Sequence, residues 1–398
     1  MNSIQSVDAF DQWLRTDFVA LNTRLEEGYT ERTPTAPAAA AADGLAQRLA
    51  REGAELIGRI ADAGRAVLAA DDADRYELLG SLGMYLAACR RHETDGPPAP
   101  RSTHGAHGPQ SAAWPLATAL GTSLGVAPRF VFAHQAQYNR AAGDRLRTFT
   151  SLDDEHTFIV HNALSALAYR RTATALGGIR TLGPSNPMTE YLLREALAGL
   201  DDAMDFGTTL SKNLDVDRFF LHIRPYFKSY RVGAAEYRGA NAGDFAAINA
   251  IDLLLGLCSA HDPFYQAVLA EKQPYLPPED RPALRAAVRA EPLLDVFLRE
   301  ADERPVTPRL RENVRLLLAL CVRHGAVSSF HHHRLVVPFL QKPASMHPEP
   351  EDLTSSGPPL DVVVAQLARL VDLRTARRRA GAFGARDRLD RLRDAAGL

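Results

Sequence analysis

Between Pro308 and Leu340, small and apolar side chains recur every three or four positions. This spacing places them on one face of a helix, because a turn of α-helix contains about 3.6 residues. The face consists of Val314, Leu317, Leu318, Cys321, Gly325, Ser328, His332, Leu335 and Phe339. Pro308 suits the first turn of this helix, whereas Pro338 is expected to disturb its end.

Helical periodicity dominates the rest of the chain, and alternating strand-like runs with hairpin turns are nearly absent. We therefore predict an all-α fold. The chain has 398 residues, of which 46% are hydrophobic, so it is long enough for a substantial core. A Pro/Gly-rich stretch over residues 95–110 predicts a small N-terminal helical part, 1–110, and a large helical domain, 111–398. Residues 343–361 are also rich in proline and predict a long loop.

Composition and charge exclude several classes of protein. The formal net charge of -2 argues against a dedicated nucleic-acid binder. Cys89, Cys258 and Cys321 show no CxxC spacing, which excludes a zinc knuckle and a disulfide framework and fits a reducing cytoplasm. No apolar run reaches about 18 residues, so no membrane-spanning helix is expected. We expect a cytoplasmic protein, and its oligomeric state is open.

Three consecutive histidines, His331, His332 and His333, lie within the periodic helix. They cannot all face one metal ion, because successive helix residues point about 100° apart. The period selects His332 for the inner face, with His333 at its edge and His331 pointing away. An imidazole on an apolar face needs a partner. His332 is therefore either a core histidine bonded to a backbone carbonyl or an axial haem ligand.

A zinc site is not indicated, because zinc needs three or four ligands and the chain contains no HExxH pair. A different kind of candidate lies in residues 215–233, where Phe220, Ile223, Arg224 and Phe227 share one predicted helix face. Arg224 is thus placed among aromatic side chains. It either clamps a substrate carboxylate with two hydrogen bonds or joins a structural salt bridge.

Two further stretches carry candidate ligand-binding residues. A turn of small residues allows a backbone to approach a flat ligand closely, and its members are Gly239, Ala240, Ala242 and Gly243. Asp244 follows this turn and is the predicted N-cap of the next helix. His161 lies on an apolar face with Phe158 and is either a core histidine or an acid/base group.

Together and in this order, these stretches resemble the indoleamine/tryptophan 2,3-dioxygenase superfamily, and within it the pyrrolnitrin-pathway monodechloroaminopyrrolnitrin synthases. The likeness extends over roughly residues 120–375. It is carried by FFLHIRPYFKSY, the small-residue turn with IDLLLGL, EKQPYLPPEDRPAL and FHHHRLVVPFLQKPA. The resemblance implies an indoleamine dioxygenase-like helical fold that binds haem b. It also implies an enzyme that acts on the indole ring of L-tryptophan or a derivative, with dioxygen or a peroxide.

The resemblance also implies roles for individual residues. His332 corresponds to the proximal haem ligand, because Leu335, Val336, Phe339 and Leu340 follow it as the family pattern requires, and His333 is the reserve candidate. Arg224 corresponds to the arginine that binds the substrate carboxylate, and Phe219, five positions earlier, to an active-site phenylalanine. The small-residue turn corresponds to the turn over the haem. His161 corresponds to a distal histidine, and Phe132 to a distal-pocket tyrosine.

Two departures from the indoleamine dioxygenase pattern bear on the reaction. Ser329 stands where those enzymes have an arginine three residues before the proximal histidine, and residues 355–359 lack their Gly-Gly-Thr sequence. Both favour the pyrrolnitrin-type branch, in which the indole ring of tryptophan or a chlorinated tryptophan is rearranged in secondary metabolism. The alternatives are oxidative cleavage of the indole ring to an N-formylkynurenine and a non-catalytic haem-binding sensor.

Overall fold

A computed structural model describes residues 3–29, 36–62, 65–92, 113–341, 360–377 and 384–398. Within these ranges almost all regular structure is helical, and one two-stranded sheet is present. The predicted all-α fold is therefore confirmed. The predicted boundary at residues 95–110 lies outside the described residues, as does nearly all of the predicted loop at 343–361. The division into parts 1–110 and 111–398 stays a prediction.

The first half of the chain contributes nine α-helices to the described structure. They are α1 (Ser3–Arg15), α2 (Asp17–Tyr29), α3 (Ala36–Asp62), α4 (Arg65–Leu68), α5 (Asp72–Arg91), α6 (Ala113–Leu124), α7 (Phe132–Ala136), α8 (Asp153–Leu182) and α9 (Pro187–Asn213). A short irregular region follows α9. It consists of α10 (Val216–Arg218), the π-helix π1 (Phe219–Ile223), a 3-10 helix (Arg224–Phe227) and the strands β1 (Tyr230–Val232) and β2 (Ala235–Tyr237).

The strands β1 and β2 are antiparallel, with Tyr230 opposite Tyr237. The remaining elements are again helical. They are α11 (Ala246–Leu255), α12 (Pro263–Lys272), a 3-10 helix (Gln273–Tyr275), α13 (Asp280–Val288), α14 (Leu293–Glu303), α15 (Pro308–Phe330), the π-helix π2 (His331–Gln341), α16 (Leu360–Arg374) and α17 (Ala385–Ala395).

These elements form two compact units. The first unit contains the described residues up to Ile159 together with Leu214–Asp244. The second unit contains Val160–Asn213 and the described residues from Phe245 onward. None of the described helices is long and apolar enough to cross a membrane.

The first unit is organised around helix α5, whose N-cap Asp71 accepts a hydrogen bond from the Asp74 amide at 2.8 Å. Gly83 lets this helix contact the chain before α7, because a Cβ at this position would lie 2.2 Å from the Phe130 nitrogen. Aromatic rings fill the core, and Phe149 stacks on Tyr226 with 4.4 Å between ring centroids. Because Gly83 has no side chain, the backbone of α5 and the backbone that precedes α7 can contact each other directly.

In the second unit, α15 packs along α9 and begins as the sequence predicts. The Thr307 hydroxyl accepts a hydrogen bond from the Leu310 amide at 3.1 Å, and Pro308 occupies the first turn. The predicted inner face is buried throughout, except that Leu335 is half-buried. Pro338 lies inside π2, where the backbone no longer follows α-helical geometry. The predicted disturbance is confirmed, and its cause is that proline lacks an amide hydrogen.

Candidate functional site

The π-helix π1 connects the two residues predicted to contact the substrate. The Arg224 amide donates a hydrogen bond to the carbonyl of Phe219, five residues earlier. In an α-helix, residues five apart point about 140° away from each other, whereas the wider π turn brings them nearer to the same side. The expected regular helix is therefore wrong for this segment. Phe219 and Arg224 are instead joined through the backbone bond that defines the π turn.

Arg224 lies against an aromatic ring, as the sequence predicts. Its side chain is buried, with the residue 9% exposed, and the guanidinium carbon lies 5.0 Å from the centroid of the Phe220 ring. A cation over an aromatic face is stabilised by about 0.5–2 kcal/mol, depending on how far it is desolvated. This contact fixes the position of the guanidinium, the planar group that proteins use to bind carboxylates.

A layer of phenylalanines joins Phe132 and Phe219. The Phe158 ring contacts the Phe132 ring at a centroid distance of 5.8 Å and the Phe219 ring at 4.8 Å. All three residues are buried. Phe158 was not assigned to the site from the sequence. The available signal was its position on α8, three residues before His161 and on the same predicted face.

The small-residue turn from Gly239 to Gly243 is closed by an ion pair. The two terminal nitrogens of the Arg238 guanidinium donate to the Asp244 carboxylate, at 2.8 and 2.9 Å, and Asp244 is almost fully buried. The predicted N-cap role of Asp244 is wrong, because α11 begins at Ala246 with Phe245 at the cap position. A bidentate charge-assisted pair is stronger than a cap hydrogen bond, which explains the outcome.

Arg129 fixes the base of this turn and was missed in the sequence. It is fully buried and donates to the carbonyls of Phe130 at 2.7 Å, Arg238 at 2.6 Å and Tyr237 at 3.1 Å. Its guanidinium carbon also lies 4.2 Å from the centroid of the Tyr230 ring. Backbone carbonyls carry no sequence signature, so no motif could have revealed these contacts. The turn is thereby tied to the segment that leads into Phe132.

In the second unit, the histidine triplet is arranged as helical geometry requires. His332 is 8% exposed, whereas His331 and His333 are exposed. The Nδ1 atom of His332 is buried and has no hydrogen-bond partner within the described ranges. Burial, followed by the charge of His333, lowers the pKa of His332, so its imidazole is neutral near pH 7. A neutral imidazole is the form that binds a metal ion.

His331 has an unusual environment for an exposed residue. Burial, followed by the charges of Arg374, His332 and Lys272, lowers the pKa of His331 to about 4. The imidazole of His331 is therefore neutral near pH 7, and its exposure agrees with the predicted direction away from the inner face.

His161 lies on α8 in the second unit and is half-buried. Its Nδ1 atom is buried and makes no hydrogen bond to any residue that the structure describes. Burial lowers the pKa of His161, so this imidazole is also neutral near pH 7. The described residues contain no cluster of three or more His, Cys, Asp or Glu side chains placed to hold a metal ion.

A buried ionic cluster joins three helices of the second unit. It consists of Asp252 on α11, His324 on α15 ahead of the histidine triplet, and Arg374 on α16. Arg374 donates to both carboxylate oxygens of Asp252 at 2.8 and 2.7 Å, and His324 Nε2 donates at 2.7 Å. Burial would raise the pKa of Asp252, but the charge of Arg374 and the hydrogen bond from His324 hold it well below its ordinary value. Arg374 also lies 3.4 Å from the hydroxyl of Ser328. We call this set the Asp252 cluster.

Comparison with protein families explains why these residues occur in one chain. The sequence matches the model of the family described as monodechloroaminopyrrolnitrin synthase PrnB over residues 4–396. The chain belongs to this family. Monodechloroaminopyrrolnitrin synthases act on a tryptophan-derived substrate in pyrrolnitrin biosynthesis, so the protein is an enzyme of that pathway type. The resemblance found in the sequence is confirmed. A search of individual curated proteins found no match.

Proposed function

We propose that this monodechloroaminopyrrolnitrin synthase family member uses haem b to oxidise or rearrange the indole ring of L-tryptophan or a ring-substituted tryptophan, such as a chlorinated one. The observation that supports the proposal is the π1 turn. Within one unit, the buried Arg224 guanidinium lies against the Phe220 ring, and the turn's backbone bond joins Arg224 to Phe219. An amino acid with an aromatic side chain needs both kinds of contact.

Arg224 binds the substrate carboxylate through two parallel hydrogen bonds in this proposal. The layer formed by Phe132, Phe158 and Phe219 offers an apolar aromatic surface for the indole ring. Holding the substrate at both ends restricts its orientation, which lowers the entropic part of the barrier to reaction. In the turn from Gly239 to Gly243, Ala242 and Gly243 are half-buried and their small size would let a flat ligand approach the backbone in this proposal.

His332 holds the haem iron through its imidazole in this proposal. It fits this role because it is buried and neutral, and because its neighbours Val336 and Phe339 are buried apolar side chains. Bound haem supplies the iron at which dioxygen or a peroxide is activated. His161, neutral and half-buried, accepts or returns a proton at its imidazole nitrogen during the reaction.

The cofactor assignment is tested by adding haemin to purified protein and recording the Soret band. His332→Ala is expected to abolish the histidine-ligated spectrum, and His333→Ala, the matched neighbour, to leave it unchanged. His333 is the reserve ligand, so His333→Ala is also the competing variant. If His333→Ala removes the spectrum and His332→Ala does not, the ligand is His333. If the unaltered protein takes up no haem, the cofactor proposal is wrong.

The substrate assignment is tested by measuring the binding of L-tryptophan and of indole to Arg224→Leu. Loss of charge-assisted hydrogen bonds is expected to weaken tryptophan binding by about 10- to 100-fold, equivalent to roughly 1.5–3 kcal/mol. Indole has no carboxylate, so its binding should change little. Equal losses for both compounds would remove the proposed role of Arg224.

Mass spectrometry of the products from a panel of tryptophan derivatives distinguishes the possible reactions. A rearranged product that has lost the carboxyl group supports pyrrolnitrin-type chemistry. A product that has gained two oxygen atoms indicates ring cleavage to an N-formylkynurenine. Uptake of haem without turnover of any derivative indicates a haem-binding sensor.

A further inference from the structure

A buried carboxylate on α2 is bonded to the π1 turn. Glu26 is 1% exposed and accepts hydrogen bonds from Arg91 Nε and from a terminal nitrogen of Arg91, both at 2.8 Å. His222, inside π1, donates to the same carboxylate at 3.1 Å. We call Glu26, Arg91 and His222 the Glu26 cluster. None of these three residues was singled out in the sequence.

The Glu26 cluster holds π1 at two successive residues. Besides binding Glu26, Arg91 donates to the backbone carbonyl of Leu221 at 3.1 Å. His222, the next residue, is held through its side chain. Both lie inside the turn that the bond from Arg224 to Phe219 closes. One guanidinium therefore connects the buried carboxylate to the backbone of the turn.

Such support is needed because π turns are rare and less favourable than α-helix, and they persist where surrounding contacts hold them. The carboxylate remains ionised in this setting. Burial alone would raise the pKa of Glu26. The hydrogen bonds from Arg91 and His222 lower it by more than burial raises it, so the pKa lies below the ordinary value of a glutamate. Removing this charge would weaken both attachments to π1 at once.

The chain after Arg224 is connected to the same carboxylate and is also held by a contact outside the cluster. Tyr226 is buried, and its hydroxyl bonds the Glu26 carboxylate and lies 3.3 Å from His92 Nε2. Its ring stacks on Phe149, a contact that does not involve the Glu26 cluster. Removing the Glu26 charge therefore loosens π1 at Leu221 and His222, while the stacked ring still holds Tyr226.

We infer that the Glu26 cluster is a positioning device that keeps residues 219–223 in a π turn and thereby sets the direction of Arg224 relative to Phe219. The inference rests on the proposed binding of the substrate carboxylate by Arg224. If the turn relaxed to α-helix, the two side chains would point about 140° apart. One tryptophan could then no longer contact both of them.

The test uses Glu26→Gln in the full chain, with calorimetric titration of L-tryptophan and of indole. The Kd for tryptophan is expected to rise about 10-fold, a change of about 1.4 kcal/mol, while the Kd for indole stays nearly constant. Glu52→Gln is the matched control. Glu52 is also a carboxylate of the first unit that accepts from an arginine, Arg48, and from a second donor, Trp13, but it makes no bond to π1.

A second pair of variants separates positioning from general stability. His222→Asn keeps a side-chain N–H donor near the place of the imidazole Nδ1, whereas His222→Leu removes this donor. His222→Asn is therefore expected to retain selectivity for tryptophan over indole, and His222→Leu to lose it. A purely structural role would lower the melting temperature of both variants without changing the ratio of the two Kd values. If Glu26→Gln does not fold, this pair decides the question.

The outcomes distinguish this inference from the proposed function. If Arg224→Leu leaves the ratio of tryptophan to indole affinity unchanged, the proposed role of Arg224 fails and the inference fails with it. If Arg224→Leu changes that ratio but Glu26→Gln and His222→Leu do not, the positioning role alone is overturned.

Discussion

Each unit of the protein contains a buried carboxylate that is bound by two nitrogens of one arginine and by one histidine. The first set is Glu26, Arg91 and His222, and the second is Asp252, Arg374 and His324. The hydrogen bonds between arginine and carboxylate are almost the same in both clusters. They measure 2.8 Å in the first cluster and 2.7 and 2.8 Å in the second. The surroundings differ, and this difference separates their roles.

The Asp252 cluster is enclosed and joins regular helices. The Arg374 side chain is 8% exposed and the Asp252 side chain not at all, and the carboxylate accepts one more bond, from the Tyr265 hydroxyl at 2.8 Å. In the Glu26 cluster, the Arg91 side chain is 22% exposed and donates one hydrogen bond to the Leu221 carbonyl of the π turn. The enclosed cluster therefore stabilises the packing of α11, α12, α15 and α16, and the more open one shapes a single turn.

The largest expected effect follows from removing the enclosed carboxylate. Asp252→Ala leaves the Arg374 cation buried without its counter-charge, which should lower the free energy of unfolding by about 3–5 kcal/mol. Glu26→Ala should cost less, because Arg91 can reach water. Urea denaturation followed by far-UV circular dichroism measures both. Equal costs would show that the difference in exposure has no energetic consequence.

Acid should weaken the first unit before it affects the Asp252 cluster. Burial lowers the pKa of His92 to about 4, from an unperturbed value near 6.5. Between these values the unfolded chain binds more protons, so stability falls as pH drops through this window, by up to about 3 kcal/mol. Burial lowers the pKa of His134 to about 3, which acts in the same direction, whereas burial raises the pKa of Glu155 to about 7, which offsets part of this loss. The lowered pKa of Asp252 keeps its contribution present throughout this window.

Tryptophan fluorescence can follow the acid sensitivity of the first unit, because both tryptophans, Trp13 and Trp114, belong to it. The urea midpoint from fluorescence should fall between pH 7 and pH 4.5. His92→Gln should flatten the fluorescence trend. An unchanged trend in this variant would show that His92 does not contribute to the acid sensitivity.

A smaller effect is expected from crowding the enclosed cluster. In Gly325→Ala the new Cβ would lie 2.8 Å from the Arg374 carbonyl oxygen and 3.1 Å from the Thr375 Cα, so α16 must shift. Overpacking of this kind costs about 1–3 kcal/mol. Gly207→Ala on α9 is the matched control, because its nearest neighbour is the Phe330 ring at 3.4 Å. Thermal melting should place Gly325→Ala below the unaltered protein and Gly207→Ala at or above it.

The smallest expected effect concerns single hydroxyl groups. Tyr265→Phe removes one of four side-chain hydrogen bonds to Asp252, for an expected cost of about 0.5–1.5 kcal/mol. Tyr226→Phe should cost less, because the Tyr226 hydroxyl bonds the carboxylate of the more open Glu26 cluster, and its contacts with His92 at 3.3 Å and Asn22 at 3.4 Å are longer. Denaturant midpoints compare the two variants. A reversed order would contradict the view that the enclosed cluster is the more tightly bonded one.

Much of the fold follows from local periodicity. The spacing of apolar residues predicted the all-α class, the start of α15 at Pro308, the buried face of that helix, the burial of His332 and the exposure of His331. It also placed Arg224 against aromatic side chains. These features are properties of neighbouring residues on one helix, where bond geometry alone sets direction.

Tertiary structure decided the features that depend on distant partners. Glu26 and His222 are 196 positions apart, and Asp252 and Arg374 are 122 apart, so neither cluster has a sequence motif. Asp244 pairs with Arg238 only six positions earlier, but the turn that brings them together is held by Arg129, which is 109 positions from Arg238. Periodicity therefore determined which faces are buried. The π turn between Phe219 and Arg224 required the surrounding chain, because only long-range contacts can hold a turn that local bonding disfavours.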